Sequence, residues 1–334
     1  MKRILILLIT AALVTTCLSG CTRKNDDMES ETLTIVTTIF PQYDFARQIV
    51  GDKAELIMLL KPGAESHSYE PTPQDIKAIQ ACDLFIYTGG ENDVWVDDIL
   101  SSMGDKKPDT LKLVDCVPTV TEEIVDGMEH EHAHEHDQDH DQDHAHEHEH
   151  EDETQGHEGE MDEHVWTSPK NAIEIVKEMT ALIIEKDPEY AAIYTERSSN
   201  YITELEELDA SFRELVDSAK RKTILFGDRF PFRYLADAYG LSYFAAFTGC
   251  STETEASAAT VAFLVNKVKD EEIPVAFTIE LSSGKIADSI CEATGAVKMT
   301  LYSCHNLTKE QMEAGESYLS LMGANVESLR TALN

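Results

Sequence analysis

Basic residues are scarce in this chain. Its 27 Lys and Arg stand against 63 Asp and Glu, which gives a formal net charge of −36. Nucleic-acid binding requires a basic surface, so this charge balance excludes that class of partner. An acidic protein instead suits cations or cationic partners. Much of the excess is local, because residues 121–163 contain no Lys or Arg.

Motifs of common enzymes are also missing. The chain contains no GxSxG nucleophile elbow and no phosphate-binding P-loop. A catalytic metal site would further need an open coordination position and a general base. We therefore expect a binding protein and not an enzyme, with a metalloenzyme as the weaker alternative.

No apolar run near the start is long enough to span a bilayer comfortably. The run Ile4–Val14 follows two basic residues, and the letters LSGC, which look like a bacterial lipobox, end at Cys21. We predict a signal peptide over 1–20, lipidation of Cys21 and a tether over 21–32. The mature protein is then extracytoplasmic and held by its lipid anchor to the bilayer, at the outer face of the cytoplasmic membrane. A plain secretory peptide is the alternative.

Cysteines are few, at seven in the whole chain. Five remain after the signal and the lipidated position, and an odd number leaves one unpaired. An extracytoplasmic site permits disulfides, so Cys82–Cys116 and Cys250–Cys304 are the predicted pairs. Buried free thiols are an equally open interpretation.

The pattern of apolar residues predicts an α/β fold. Short runs rich in Val, Ile and Leu alternate with segments of helical spacing, which is typical of buried parallel sheets flanked by helices. The predicted strands are 33–40, 54–60, 83–88, 111–116, 223–226, 242–247, 274–279 and 297–302. The predicted helices are 42–50, 72–81, 93–103, 168–187, 231–239, 255–269, 284–294 and 308–333.

A single long helix divides this alternation. From Pro188 to about Ser218, apolar residues recur every three or four positions on one stripe. We therefore predict two small α/β lobes, an N-terminal lobe over 33–187 and a C-terminal lobe over 220–334, joined by a rigid helix over 188–219. Ligands of such folds bind where the carboxyl ends of strands face a crevice.

An insertion rich in histidine and acids interrupts the first lobe. We expect the segment of about 121–162 to be disordered, because it contains too few apolar residues to form a core. It contains ten of the thirteen histidines. As an auxiliary metal loop it offers His130, His132, His134, His136, His140, His144, His146, His148, His150 and His157. The alternative is a solvating linker that binds metals incidentally.

Only three histidines lie outside the insertion: His67, His164 and His305. Two of them follow predicted strands, one in each lobe, and His164 directly precedes a helix. Imidazole nitrogens suit zinc and neighbouring transition metals, and a tetrahedral zinc site needs a fourth ligand. Glu280, which follows a strand of the second lobe, and Asp228 are the candidate carboxylates.

Two segments resemble a known family. LLKPGAESHSYEPTPQDIKAIQACDLFIYTGG and DEHVWTSPKNA are similar to the zinc- and manganese-binding solute-binding proteins of bacterial ABC importers, and the resemblance extends over about 33–330. It implies the metal-type binding-protein fold with a rigid helix between lobes, and delivery of the metal to the permease membrane subunit. By this match His67 and His164 carry over as metal ligands. A monomer is expected, and a surface adhesin or metal-storage protein is the alternative function.

One motif departs from the family. Members have a third ligand in a segment resembling FHDAF, whereas this chain has FGDRF with Gly227 at the place of the histidine. His305 is the natural substitute, and the family's fourth contact is a carboxylate close to Glu280. We therefore predict a site of His67, His164, His305 and Glu280. Three nitrogens and one oxygen favour Zn²⁺, with Mn²⁺ as the alternative ion.

Overall fold

This computed structural model describes residues 32–66, 68–128, 160–252 and 255–334. A four-stranded parallel sheet with the order β2-β1-β3-β4 organises the first part of the chain. Its strands are β1 (Thr34–Thr37), β2 (Glu55–Met58), β3 (Leu84–Tyr87) and β4 (Asp109–Lys112). Every residue of β3 is buried, as expected for a central parallel strand covered on both faces.

Four helices accompany this sheet. They are α1 (Phe40–Val50), α2 (Pro73–Ala81), α3 (Val94–Met103) and α4 (Pro169–Lys186). Helix α2 begins with a capping box: the Thr72 side chain accepts the backbone N–H of Asp75, and the Asp75 side chain accepts the backbone N–H of Thr72. Pro169 is the first residue of α4, where its missing N–H costs nothing.

The predicted long helix is present. Residues Pro188–Tyr190 form one 3₁₀ turn, and α5 (Ala191–Asp217) continues for 27 residues, about 40 Å at 1.5 Å per residue. Its buried side chains form one stripe, which includes Tyr194, Tyr201, Leu208 and Leu215. Helix α5 packs against α1, α4 and the last helix of the chain, so residues from both ends of the sequence share one core.

The second part of the chain builds a smaller parallel arrangement. Strand β5 (Thr223–Leu225) pairs with β7 (Ser242–Phe244), and β9 (Val275–Thr278) pairs with β10 (Val297–Thr300). A bridge between Phe226 and Phe277 joins these pairs in the order β7-β5-β9-β10. The short strands β6 (Arg229–Phe230) and β8 (Phe247–Thr248) form a further parallel pair.

The helices of this part are α6 (Arg233–Tyr239), α7 (Ala258–Asp270), α8 (Lys285–Thr294), α9 (Lys309–Ala314) and α10 (Tyr318–Leu333). The prediction of one helix over 308–333 is wrong, because two helices occupy that range. Gly315 ends α9 in the left-handed conformation at φ 78°, and the Ser317 side chain caps the start of α10. Residues Leu33–Asn334 form one compact unit, and the predicted lobe boundaries remain a prediction.

The predicted disulfides are not formed. All five cysteines among the described residues, including both members of the Cys82–Cys116 and Cys250–Cys304 pairs, are free thiols. Cys304 is fully buried in the apolar core, whereas Cys250 lies against the carboxylates of Glu122 and Glu163. The two sulfurs therefore belong to different environments. Cys21 lies outside the described residues, within which no helix is long and apolar enough to cross a membrane.

Candidate metal centre

The first site histidine, His164, lies one short turn before α4. The chain enters this segment through a bridge between Thr121 and Met161 and then forms a single 3₁₀ turn over Val165–Thr167. The His164 side chain is fully buried. Its backbone N–H and its ring Nδ1 both bond the same oxygen, Asp162 Oδ1, at 2.8 Å each. This pair of bonds fixes the position and the rotation of the imidazole.

Charge around His164 favours the cationic ring. Burial by itself lowers the pKa of this imidazole, but the carboxylate of Asp162, helped by Glu163 and Glu122, outweighs burial and raises the pKa. The same carboxylates attract a metal cation. A proton and a metal ion therefore compete for this ring.

The second site histidine, His305, follows β10 and has a similar local arrangement. Its ring Nδ1 lies 2.7 Å from Ser303 Oγ, and the Ser303 hydroxyl donates to Glu280 Oε1 at 2.6 Å. A hydroxyl has one proton, so Ser303 must accept the Nδ1–H of His305. Between these two residues Cys304 adopts φ 63°, a left-handed conformation that is uncommon for residues other than glycine.

Glu280 holds the loop that contains His305. Its carboxylate accepts the Ser303 N–H at 2.7 Å, the Ser303 hydroxyl and the His305 N–H at 3.1 Å. Burial raises the pKa of Glu280, and these hydrogen bonds oppose the rise. A carboxylate has about four lone-pair positions, so these three donors leave capacity for one further bond.

The two imidazoles meet although they come from distant parts of the chain. The ring centroids of His164 and His305 lie 4.7 Å apart at an interplanar angle of 81°. Trp166 is buried beside both rings, at 5.6 Å from His164 and 5.0 Å from His305. Its indole N–H donates to the Ser303 carbonyl at 2.8 Å and so ties the two histidine segments together.

The segment that precedes His67 reaches the same place. His67 itself lies outside the described residues, but Ala64, Glu65 and Ser66 line a small cavity together with Glu280 and His305. This segment is docked by Asn306, whose side-chain amide donates to the carbonyls of Lys61 at 2.8 Å and Ala64 at 2.9 Å. The His305 imidazole and the Glu280 carboxylate line this cavity, and the second imidazole, His164, lies beside His305. Together they form a donor set that suits a divalent metal ion.

A family comparison agrees with this arrangement. The family model described as zinc-uptake complex component A, periplasmic (ZnuA), matches residues 35–332. The chain belongs to the ZnuA family. The resemblance found in the two sequence segments and the expected metal-type binding-protein fold are both confirmed, and the family is a transport component, as expected for a protein that is not an enzyme.

Individual relatives span most of the chain. The high-affinity zinc uptake system protein ZnuA of Bacillus subtilis is 34% identical over 321 residues, 96% of this chain and 94% of that protein. The zinc-binding lipoprotein AdcA of Streptococcus pneumoniae is 32% identical over 330 residues, 99% of this chain but only 61% of AdcA. The crystal structure of the Zn(II)-bound ZnuA-like domain of that AdcA has a TM-score of 0.71 at 29% identity, covering 90% of this chain and 99% of the domain.

The departure from the family pattern at FGDRF has a structural reason. A Cβ at position 227 would lie 2.5 Å from the backbone nitrogen of Ala287, so Gly227 lies against α8 and cannot be replaced by a histidine without displacing that helix. Arg229, two residues on, instead lines the cavity of Glu280 and His305. The position of this motif that faces the cavity is therefore 229 and not 227, and a guanidinium has no lone pair for a metal.

The alternative carboxylate, Asp228, has a visible structural role. Its Oδ2 accepts the Thr278 hydroxyl at 2.7 Å and the Ile279 N–H at 3.4 Å, and its Oδ1 accepts the Arg229 N–H at 2.9 Å. These bonds hold the turn after β5 against the end of β9. Arg229 in turn pairs with Glu65 at 3.1 Å, a contact between the two halves of the chain.

Sequence reasoning missed Asp162, Ser303 and Trp166 as parts of the site. A signal for the first two was available, because DEH and SCH each place a hydrogen-bond acceptor two residues before the histidine. Trp166 is part of the HVW motif, but nothing local indicated that its ring would contact His305. The ten histidines of the predicted auxiliary loop lie outside the described residues.

Proposed function

We propose that this protein captures Zn²⁺ in the cleft between its two halves and delivers it to the permease membrane subunit of an ABC importer. The proposed ligands are His67, His164, His305 and Glu280. The observation that carries this proposal is the buried pair of imidazoles, His164 and His305, at 4.7 Å. The zinc-uptake role of the Bacillus subtilis ZnuA relative and the Zn(II)-bound state of the AdcA domain support it.

The hydrogen bonds indicate which nitrogens bind the metal. In both histidines Nδ1 is bonded to an acceptor two residues earlier, Asp162 or Ser303. The neutral tautomer with hydrogen on Nδ1 has its lone pair on Nε2. Metal-binding histidines are commonly oriented in this way by an outer carboxylate or hydroxyl. The proposed set of three imidazole nitrogens and one carboxylate favours zinc over Mn²⁺, which prefers more oxygen ligands.

The experiment is a zinc titration against a competing chelator, with matched histidine variants. We expect His164→Ala and His305→Ala to lower zinc affinity by more than the roughly 10–100-fold that loss of an outer partner costs. His157→Ala, within the predicted loop, is the control and leaves the tight site intact. Unchanged affinity in His305→Ala would remove His305 from the ligand set, and a preference for Mn²⁺ would refute the choice of ion.

The surroundings of the insertion support an auxiliary role for its histidines. The Glu122 N–H donates to the Glu160 carbonyl at 2.7 Å, and the Asp162 N–H donates to Val120 at 2.9 Å. The insertion thus starts and ends beside Asp162, the partner of His164. We propose that its many weak sites raise the local zinc concentration next to the cleft. Unchanged zinc stoichiometry and zinc-limited growth after deletion of residues 129–157 would support the linker alternative.

The N-terminal segment completes the proposal. The periplasmic family description and the lipoprotein named AdcA support an extracytoplasmic protein anchored through lipid on Cys21. A single anchored copy per permease is expected, so the protein is proposed to act as a monomer. Replacing Cys21 by serine should release the protein from the membrane fraction, and retention of that variant in membranes would refute lipidation.

A further inference from the structure

We propose that Cys250, Glu163 and His164 form a second metal position for a thiophilic divalent cation such as Zn²⁺ or Cd²⁺. The ligand atoms of these three side chains all lie within 4.8 Å of one another. Tetrahedral zinc with bonds of about 2.0–2.3 Å has ligand-to-ligand edges of about 3.3–3.8 Å. Small side-chain rotations are therefore sufficient to bring the three ligands around one ion.

The Cys250 thiol comes from the second half of the chain, whereas the other two ligands come from the first half. Cys250 follows β8, whereas Glu163 and His164 precede α4. Gly249 allows the approach, because a Cβ at that position would lie 3.0 Å from His164 Cε1 and 3.1 Å from Nδ1. The Cys250 N–H donates to Glu122 Oε1 at 2.7 Å, which fixes the loop that contains the thiol.

Glu163 is held in place but keeps bonding capacity. It is 3% exposed, and its carboxylate accepts the side chain and, at 3.3 Å, the backbone N–H of Asn92. With about four lone-pair positions, it retains capacity for one metal bond. A buried carboxylate, an imidazole and a thiol make a softer donor set than the nitrogen-rich capture site.

His164 belongs to both positions, so one ion occupies one position at a time. When the ion binds at Cys250, the S–H bond breaks, the sulfur–metal bond forms and the proton passes to solvent. The second position lies beside Asp162 and Glu122, next to the start and end of the insertion. An ion at Cys250 would therefore lie on the side of His164 that faces the insertion.

The test uses Cd²⁺ alone as the probe, because a cadmium–thiolate bond absorbs in the ultraviolet by charge transfer and imidazole or carboxylate bonds do not. The protein is the full chain with Cys17 and Cys21 replaced by serine. We expect the band to appear on titration and to be retained in Cys291→Ser, a matched half-buried cysteine on α8. Cys250→Ser should lose the band, and Glu163→Gln should lower the Cd²⁺ affinity measured from it by about tenfold or more.

The outcomes separate this inference from the capture site. Absence of the band at saturating Cd²⁺, or its persistence in Cys250→Ser, would overturn the second position while leaving zinc capture untouched. His305→Ala should keep the band, because His305 is not one of the three ligands. Loss of the band in that variant would assign the thiol to the capture site and overturn the proposal. Thermal unfolding of Cys250→Ser checks that the variant folds.

Discussion

Two tripeptides, Asp162-Glu163-His164 and Ser303-Cys304-His305, each orient a histidine ring, but they use different hydrogen-bond acceptors. In each, the acceptor two residues before the histidine bonds both the ring Nδ1 and the backbone N–H of that histidine. At His164 the acceptor is itself a carboxylate. At His305 it is a hydroxyl, which in turn donates a hydrogen bond to Glu280, a residue that follows another strand.

The difference shows how orientation and charge can be supplied separately. A local spacing is enough to orient either ring, because neighbouring residues are always within reach. The negative charge that increases ligand basicity comes from the same tripeptide at His164, but at His305 it comes from Glu280, which follows β9. We therefore expect the orientation and basicity of His164 to depend on Asp162 alone, whereas those of His305 depend on both Ser303 and Glu280.

Among residues that hold the ligands without binding the metal, the largest effect should come from Asp162→Asn. The amide oxygen can still accept a hydrogen bond, but the charge that supports His164 is lost, so zinc affinity should fall by roughly 10–100-fold. Chelator competition measures this change, and Asp52→Asn, an exposed carboxylate, is the control. Equal affinities for Asp162→Asn and the unmodified chain would show that the charge of Asp162 is irrelevant.

A smaller effect is expected for Ser303→Ala. The variant breaks the path from His305 to Glu280, but the backbone N–H of residues 303 and 305 can still bond the carboxylate. We expect a loss of zinc affinity of about tenfold, near the lower limit for an outer-shell change. Because Ser303 and Glu280 act in one network, the effects of Ser303→Ala and Glu280→Gln should be non-additive. Simple additivity in the double variant would argue against a shared network of Ser303 and Glu280.

The pH dependence should distinguish the two histidines. Neighbouring carboxylates raise the pKa of His164, so protons compete with zinc from a higher pH than for an ordinary histidine. Zinc affinity should fall as the pH is lowered. In Asp162→Asn the onset should move to lower pH, because the charge that raises the pKa is gone, while Ser303→Ala keeps the original onset. Titrations at several pH values that gave one common onset would contradict this assignment.

The smallest effect on affinity is expected at Trp166, which contacts both rings. Zinc binding should change the intrinsic fluorescence, and Trp166→Phe should abolish that change while lowering affinity by less than Ser303→Ala. The matched variant is Trp95→Phe, because the only other tryptophan packs against Tyr69 and Phe85. A zinc response that disappears in Trp95→Phe instead would place the ion elsewhere.

Much of the fold could be predicted from apolar periodicity. The buried strands, the helix starts at Pro73 and Pro169, and the long helix α5 all follow from local patterns. The helix over 308–333 was wrong because apolar periodicity alone does not register Gly315, which ends one helix, and Ser317, which caps the start of the next. The disulfides were wrong because cysteine spacing contains no information about which way each thiol faces.

The candidate site likewise has features that the local sequence predicts and features that depend on tertiary packing. Residue types, the two acceptor-x-His spacings and the family motifs are local properties, and hydrogen bonds between near neighbours can be read from the order of the chain. Only the tertiary structure shows that Glu280 bonds Ser303 and that Cys250 lies beside Glu163. It also shows that Arg229, and not Gly227, faces the cavity. These contacts depend on how two parallel sheets pack through the core shared with α5, and long-range packing is a property of the whole chain that no short segment contains.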